Sequence, residues 1–245
     1  MTAVSKKQLR VYLAELAIIV FGILIAFQVE EWRDERRNEQ DMQASLQRLA
    51  EEIKQNLAIC EARLPVHRRV TRGVEQAFVS LRSGELRDQD LQAFEAGLRF
   101  AAALPNFTVL TSVADEMIST GMLREIDDHE LRQAIPKIQA WQNISNLAYA
   151  NRRTSVRDLT AVLYDYVEIE FDDLTPEIEQ RGEPGASLEV ETRVFYDFDE
   201  MATDKRLINL YFEALDSHVD LLRDVERLCG FAADIDDRLK LIISE

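Results

Sequence analysis

Residues 11–29, VYLAELAIIVFGILIAFQV, form a long apolar run that constrains the fold of this chain more than any other feature. Only Glu15 and Gln28 within it are strongly polar. At about 1.5 Å per residue the run makes a helix of about 28 Å, close to the hydrocarbon thickness of a bilayer. Tyr12 and Trp32 stand at its ends, where amphipathic rings favour the headgroup layer, and Lys6, Lys7 and Arg10 form a basic flank. A buried core helix is the alternative. A cleaved signal peptide fits poorly, because the run is too long and no small-residue cleavage pattern follows it. The expectation is an uncleaved anchor over residues 1–32, with the lipid bilayer as its first partner.

Glu15 can be placed by helical arithmetic. At about 100° per residue, Glu15, Gly22 and Ala26 share one stripe with Val29 close by. Small residues seven and four apart let two helices approach closely, and a carboxyl on that stripe meets a neighbouring helix rather than lipid. A homo-oligomer is therefore expected, with Glu15 as a packing or interfacial carboxyl. The alternative is functional: several copies would place Glu15 around an axis as an ion pathway. Basic residues flank both ends of the run, so orientation is weakly specified, and a short tail kept inside puts residues 33–245 outside the cytoplasm.

Acidic and basic side chains balance within residues 1–40, so the whole net charge of -16 lies beyond them. An acidic body without a basic, aromatic-studded face is repelled by nucleic acid, which excludes that partner class. Cys60 and Cys229 match no zinc or redox spacing. They read as two small buried hydrophobes, or as a pair if the body faces an oxidising compartment, which would require the first and last helices to be neighbours. His67, His129 and His218 read as surface or satisfied core residues, and no metal or cofactor is expected.

With only 8 Gly and 5 Pro, the remainder favours an all-α fold: a helical-bundle domain over residues 33–245. Apolar residues recur from Met42 through Leu46, Leu49, Ile53, Leu57 and Cys60 to Leu64 as a heptad-like, coiled-coil seam, so the membrane helix is expected to run on into the body. Pro65 is expected to end that rod. A second segment, with Val66, Val70, Val74, Phe78 and Leu81 on one face, stops at Ser83-Gly84, and Asp88 or Asp90 starts a third with Leu91, Phe94 and Leu98 inward. Thr111 or Ser112 begins a short helix that stops at Gly121. Asp127, followed by Glu130, is a capping-box-like start for a long helix reaching about Phe171, kinked or restarted at Pro136. Residues 172–200 read as a loop, with a short β-hairpin or strand near 188–198. The carboxylates around it, Asp165 to Asp173 and Asp197 to Glu200, lack EF-hand spacing and read as a solvated face. Residues from Asp204 to the end keep helical spacing, as one helix or as two broken at Gly230.

Two pieces of the sequence together resemble an uncharacterised bacterial family of single-pass membrane proteins, a domain of unknown function. Glu15, Gly22-Ile23-Leu24-Ile25-Ala26, Gln28 and Trp32 look like its anchor signature, and residues 119–135 (STGMLREIDDHELRQAI) are similar to its body signature. The resemblance implies an inner-membrane anchor and a helical body, and it brings no activity. The body signature, Ser119, Gly121, Leu123, Ile126, Asp127, Leu131 and Arg132, also has a plain structural explanation as a helix–turn–helix corner. In it Gly121 and Asp127 are caps, Leu123, Ile126 and Leu131 are core, and Arg132 is free to pair with an acid.

No nucleophile elbow, P-loop, zinc-protease or dinucleotide pattern occurs, so no catalytic residues are assigned and an enzyme is not expected. The leading reading is an oligomeric, membrane-anchored interaction, scaffold or sensor protein whose helical body binds a protein partner. The alternative is a membrane effector or ion-conducting assembly built on Glu15.

Overall fold

The computed structural model describes residues 6–171 and 192–243, with side chains of the first helix from Val20 onward. Its elements are α1 (Lys6–Ser83), α2 (Leu91–Phe100), α3 (Ser112–Thr120), α4 (His129–Leu163), β1 (Val167–Phe171), β2 (Thr192–Tyr196), α5 (Phe198–Thr203) and α6 (Lys205–Ile243). The described residues are mostly helical, and the two strands among them form one antiparallel ladder with Val167 opposite Tyr196 and Phe171 opposite Thr192.

The body is organised on α1 and α6, which run antiparallel. Cys60 and Cys229 form a disulfide with Cα atoms 5.8 Å apart. Beyond it, Arg68 donates to Glu226 at 2.8 Å, the Thr71 hydroxyl donates to the His218 carbonyl at 3.4 Å, and the Phe78 and Phe212 rings lie 5.6 Å apart. The cysteines are thus a covalent staple rather than two separate buried hydrophobes. Leu46, Leu49 and Ile53 from α1 and Val225, Leu228, Ala232, Ile235 and Leu239 from α6 are buried in the same core.

This continuous contact explains why α1 does not end at Pro65, as the sequence suggests. A proline inside a helix forfeits one backbone hydrogen bond and crowds the preceding turn, at about 3 kcal/mol. Here the residues before it are stapled to α6 by the disulfide and those after it by Arg68 and Thr71, so α1 runs unbroken through Pro65. Likewise α4 passes through Pro136 without a restart, and α6 is unbroken at Gly230.

Helix α1 ends at Ser83 with Gly84 at φ 69°, a left-handed conformation that glycine adopts without penalty. The chain returns through a short 3-10 turn at Asp88–Asp90 into α2, which crosses α1 at two glycines. A Cβ on Gly97 would fall on the Gly73 backbone and lie 2.7 Å from the Ala77 Cβ. Helix α4 packs on the other side of α6, where Arg152 donates to Asp224 at 2.8 Å and Arg227 lies 4.1 Å over the Trp141 ring.

Two expectations about the second half need correction. Helix α4 stops at Leu163 rather than near Phe171, because Val167–Phe171 leaves the helix to pair as a strand with Thr192–Tyr196. The expected strand near 188–198 is present as Thr192–Tyr196 and an antiparallel hairpin forms, but the other strand of the hairpin lies before the loop rather than in the same stretch. The expected loop ends early, since Phe198–Thr203 is helical; its stretch 172–191 is outside the described residues.

Two histidines are buried in the α1–α6 core. Burial, assisted by the nearby His218 and Arg63 charges, lowers the His67 pKa to about 4, and burial also lowers that of His218 against the opposing hydrogen bond to the Ala101 carbonyl. His67 Nε2 has no hydrogen-bond partner and the ring packs edge-on against Phe107, so His67 is not the satisfied core residue expected. Between pH about 6.5 and about 4 the unfolded chain takes up protons that the folded one refuses. The contribution of the neutral rings is fully present above that window and is lost as pH falls through it. Thermal melts should show the midpoint falling between pH 7 and 5, and His67→Leu should flatten the dependence over that window by an amount corresponding to at most about 2 kcal/mol. A variant with the same slope as the wild type would place the titration elsewhere.

Candidate functional site

The features that set this chain apart are gathered where α1 leaves the bundle. From Val20 to Asp41 every described residue of α1 is exposed, and the first to touch the body are Met42, Ser45 and Leu46. Phe21, Phe27 and Trp32 are 65%, 63% and 57% exposed, and Val20, Ile23, Leu24, Ile25 and Val29 are also open. Among the described residues an apolar collar of this size has no counterpart on the body, and no other described part of the chain covers it.

The sequence-predicted residues fall into two groups. Gly22 and Ala26 lie on this collar, and a Cβ added at Gly22 would meet nothing within 4 Å. Trp32 ends it, with the Arg36 guanidinium 5.1 Å over its ring. The side chains of Tyr12 and Glu15 are outside the described residues. Among the described residues no helix is long and apolar enough to cross a membrane. The part of the run with described side chains, Val20–Val29, corresponds to about 15 Å of helix, half a bilayer.

The second group, the body motif, is brought to the foot of the projecting helix. Ser45 of α1 contacts the Met122 sulfur at 3.5 Å, and Arg48 makes a two-pronged ion pair with Glu116 of α3, both bonds at 2.9 Å. That pairing raises the Arg48 pKa and lowers that of Glu116, chiefly through the shared hydrogen bonds. The corner itself is built as a helix–turn–helix. The Ser119 hydroxyl donates to the Glu116 carbonyl, Gly121 closes α3 at φ 80°, and Ile126 and Leu131 are buried while Leu123 is half-buried.

Asp127 is not the cap of α4. Asp128 is, accepting from the Leu131 amide at 2.7 Å, one residue later than the capping-box spacing suggests. Arg132 turns back to donate to the Ile126 carbonyl at 2.9 Å, so it closes the corner and bonds a backbone oxygen rather than an acid. Arg238, near the end of α6, reaches Asp128 at 3.6 Å and also pairs with Glu130, which ties the far end of the chain to the same corner.

Three polar side chains that periodicity alone did not single out hold this corner onto the rod. Glu52 of α1 is buried and accepts from the Ser112 hydroxyl at 2.5 Å and from the Val113 and Ala114 amides at 2.9 and 3.4 Å. It supplies from a distance the N-terminal cap that Thr111 does not give, and a carboxylate there also faces the positive end of the α3 dipole. Asn56, fully buried, donates to the Leu110 carbonyl at 2.8 Å and accepts from its amide at 2.7 Å, as a neighbouring strand would. Gln142 of α4 accepts from the Val109 amide at 2.8 Å. The only signal in the sequence was a polar residue interrupting an apolar face.

The described residues thus define a helical bundle carried on a long N-terminal helix, with the corner bracing the point where that helix emerges. The chain matches no protein-family model, no curated protein and no solved structure.

Replacing Asn56 with alanine leaves both backbone groups of Leu110 without their partner, which should cost about 2–3 kcal/mol. Hydrogen exchange should then accelerate selectively over residues 104–121. Destabilisation spread evenly over the bundle would mean that Asn56 does not fix this segment.

Proposed function

We propose that this is a membrane-anchored helical protein whose body stands in an oxidising compartment, outside the cytoplasm of a bacterium, as an oligomeric interaction, scaffold or sensor module. The observation that carries the reading is the uncovered apolar collar from Val20 to Trp32 on a helix that continues without interruption into the bundle. Placing the whole run 11–29 in lipid removes that surface from water, at about 25 cal/mol per Å² of apolar area. Resemblance of both motifs to a family of single-pass proteins is in keeping with it.

The staple supports an oxidising compartment. Disulfides persist in secreted and periplasmic settings and are kept reduced in the cytosol. Cys60–Cys229 joins residues 169 apart, so closing that loop removes much entropy from the unfolded chain, about 5 kcal/mol in the chain-entropy limit. A body that relies on such a staple belongs on the oxidising side of the membrane. Since the bundle is tied to α1 on both sides of Pro65, displacement of the body by a partner is passed to the anchor as tilt or rotation of one helix.

Carbonate washing of native membranes should leave the intact chain in the pellet. A membrane-impermeant maleimide applied to spheroplasts should label a cysteine introduced at exposed Asn143, while the native cysteines stay unlabelled until a reductant is added. Release of the chain by carbonate would contradict the anchor, and protection of Asn143→Cys would place the body inside.

A further inference from the structure

The stretch between collar and bundle, Glu30–Asp41 (EEWRDERRNEQD), is helical, exposed along its whole length and without an apolar face of its own. A helix that is polar all round holds together in water through favourable pairs between residues four apart. This one has the opposite pattern. Glu30–Asp34, Glu31–Glu35, Arg33–Arg37 and Glu35–Glu39 are like-charged pairs, and Arg37–Asp41 is the one attractive pair at that spacing. Pairs three apart do not settle the matter: Glu30–Arg33, Asp34–Arg37 and Arg36–Glu39 attract, while Glu31–Asp34 and Arg33–Arg36 repel.

Like charges stack in this way because they are sorted by face. At about 100° per residue Arg33, Arg36 and Arg37 fall within an arc of about 100°, and Glu30, Glu31, Asp34, Glu35, Glu39 and Asp41 occupy the opposite half of the cylinder. The arginine face continues the collar's small-residue stripe: Ala26, Val29, Trp32, Arg33, Arg36, Arg37 and Gln40 line one groove along the helix, with Glu30 and Asp34 at its acidic edge. Attractive pairs occur only along the seam where the two faces meet, so the middle of each face is left with like charges beside it.

We propose that the occupant of these faces is a second copy of this chain, docked parallel so that the arginine face of one rod meets the carboxylate face of the next. This deepens the reading of an anchored oligomer and rests on it, because a shared membrane is what sets the rods parallel and level. Charge decides the arrangement. A two-fold dimer packed through the Gly22–Ala26 stripe would press Arg33, Arg36 and Arg37 against the same residues of its partner. A head-to-tail contact, repeated from rod to rod, opposes unlike charges at every interface and closes into a ring or extends as an array. The acidic bodies, which carry the net charge of -16, repel one another, so the contact is confined to the level of the rod.

The test uses Asn38 and Gln40, neutral residues on the carboxylate and arginine faces, in full-length protein in native membranes. A short bis-maleimide spares the native cysteines, which are joined to each other. The doubly substituted Asn38→Cys/Gln40→Cys chain should give a ladder of dimers, trimers and larger species, and either single substitution should stay monomeric on the gel. Reversing Arg33, Arg36 and Arg37 to glutamate should cut the ladder at least about tenfold, and also reversing Glu31, Glu35 and Glu39 to arginine should restore it. A dimer from Gln40→Cys alone would overturn the proposal in favour of the two-fold arrangement. No cross-link from the double variant would overturn it in favour of lipid or solvent around the rod. Carbonate fractionation of the same samples separates the two readings: retention without a ladder defeats the rod contact alone, and a ladder from a chain released by carbonate defeats the anchor alone.

Discussion

The antiparallel contact between α1 and α6 is the constraint on which the rest of the structure depends. It is closed by the Cys60–Cys229 disulfide and extended by Arg68–Glu226, Thr71–His218 and Phe78–Phe212. Because it grips α1 on both sides of Pro65, it overrides the local cost of that proline and keeps the first helix whole. Through α6 the same contact seats α4, by Arg152–Asp224 and the Arg227–Trp141 stack, and ties down the corner, by Arg238 at Asp128 and Glu130. Through α1 it positions Glu52 and Asn56, which hold the segment leading into α3. Nearly every interaction around the emerging helix traces back to this pair.

The consequence for function is mechanical. A corner held by Ser45–Met122, Arg48–Glu116 and Glu52–Ser112 braces one face of α1 just where it leaves the bundle. About 18 Å of exposed helix, Glu30–Asp41, then separates bundle from collar. Such a layout fits a body held at a fixed stand-off from a surface better than one tethered by a flexible linker. The charges on that exposed helix are arranged against its own stability as a single rod, which is the reason for looking to a neighbour for its completion.

Much of the architecture was legible in the sequence because it depends on local patterns. The helical class, the stops at Ser83-Gly84 and Gly121, the strand character near Val194 and the long final helix follow from periodicity and turn chemistry. The heptad-like seam from Met42 to Leu64 was legible too, but not its partner: it packs within the chain, so it gives no support to oligomerisation. What was hidden depends on residues far apart in sequence. Strand pairing of Val167–Phe171 across the loop, the Gly73–Gly97 crossing, the buried Asn56 and the cap lent by Glu52 each need two segments to be adjacent before they mean anything. The choice between Asp127 and Asp128 turned on a single residue of phase, which a capping pattern does not resolve.

One helix carries both the apolar run proposed as the anchor and the bundle, without a joint between them. Spin labels on cysteines introduced at Gln28 and Gln47, measured by pulsed electron resonance in reconstituted bilayers, read this directly. An unbroken helix places the two backbones about 28 Å apart with a narrow spread. A broad distribution, or a separation well short of that value, would contradict the account.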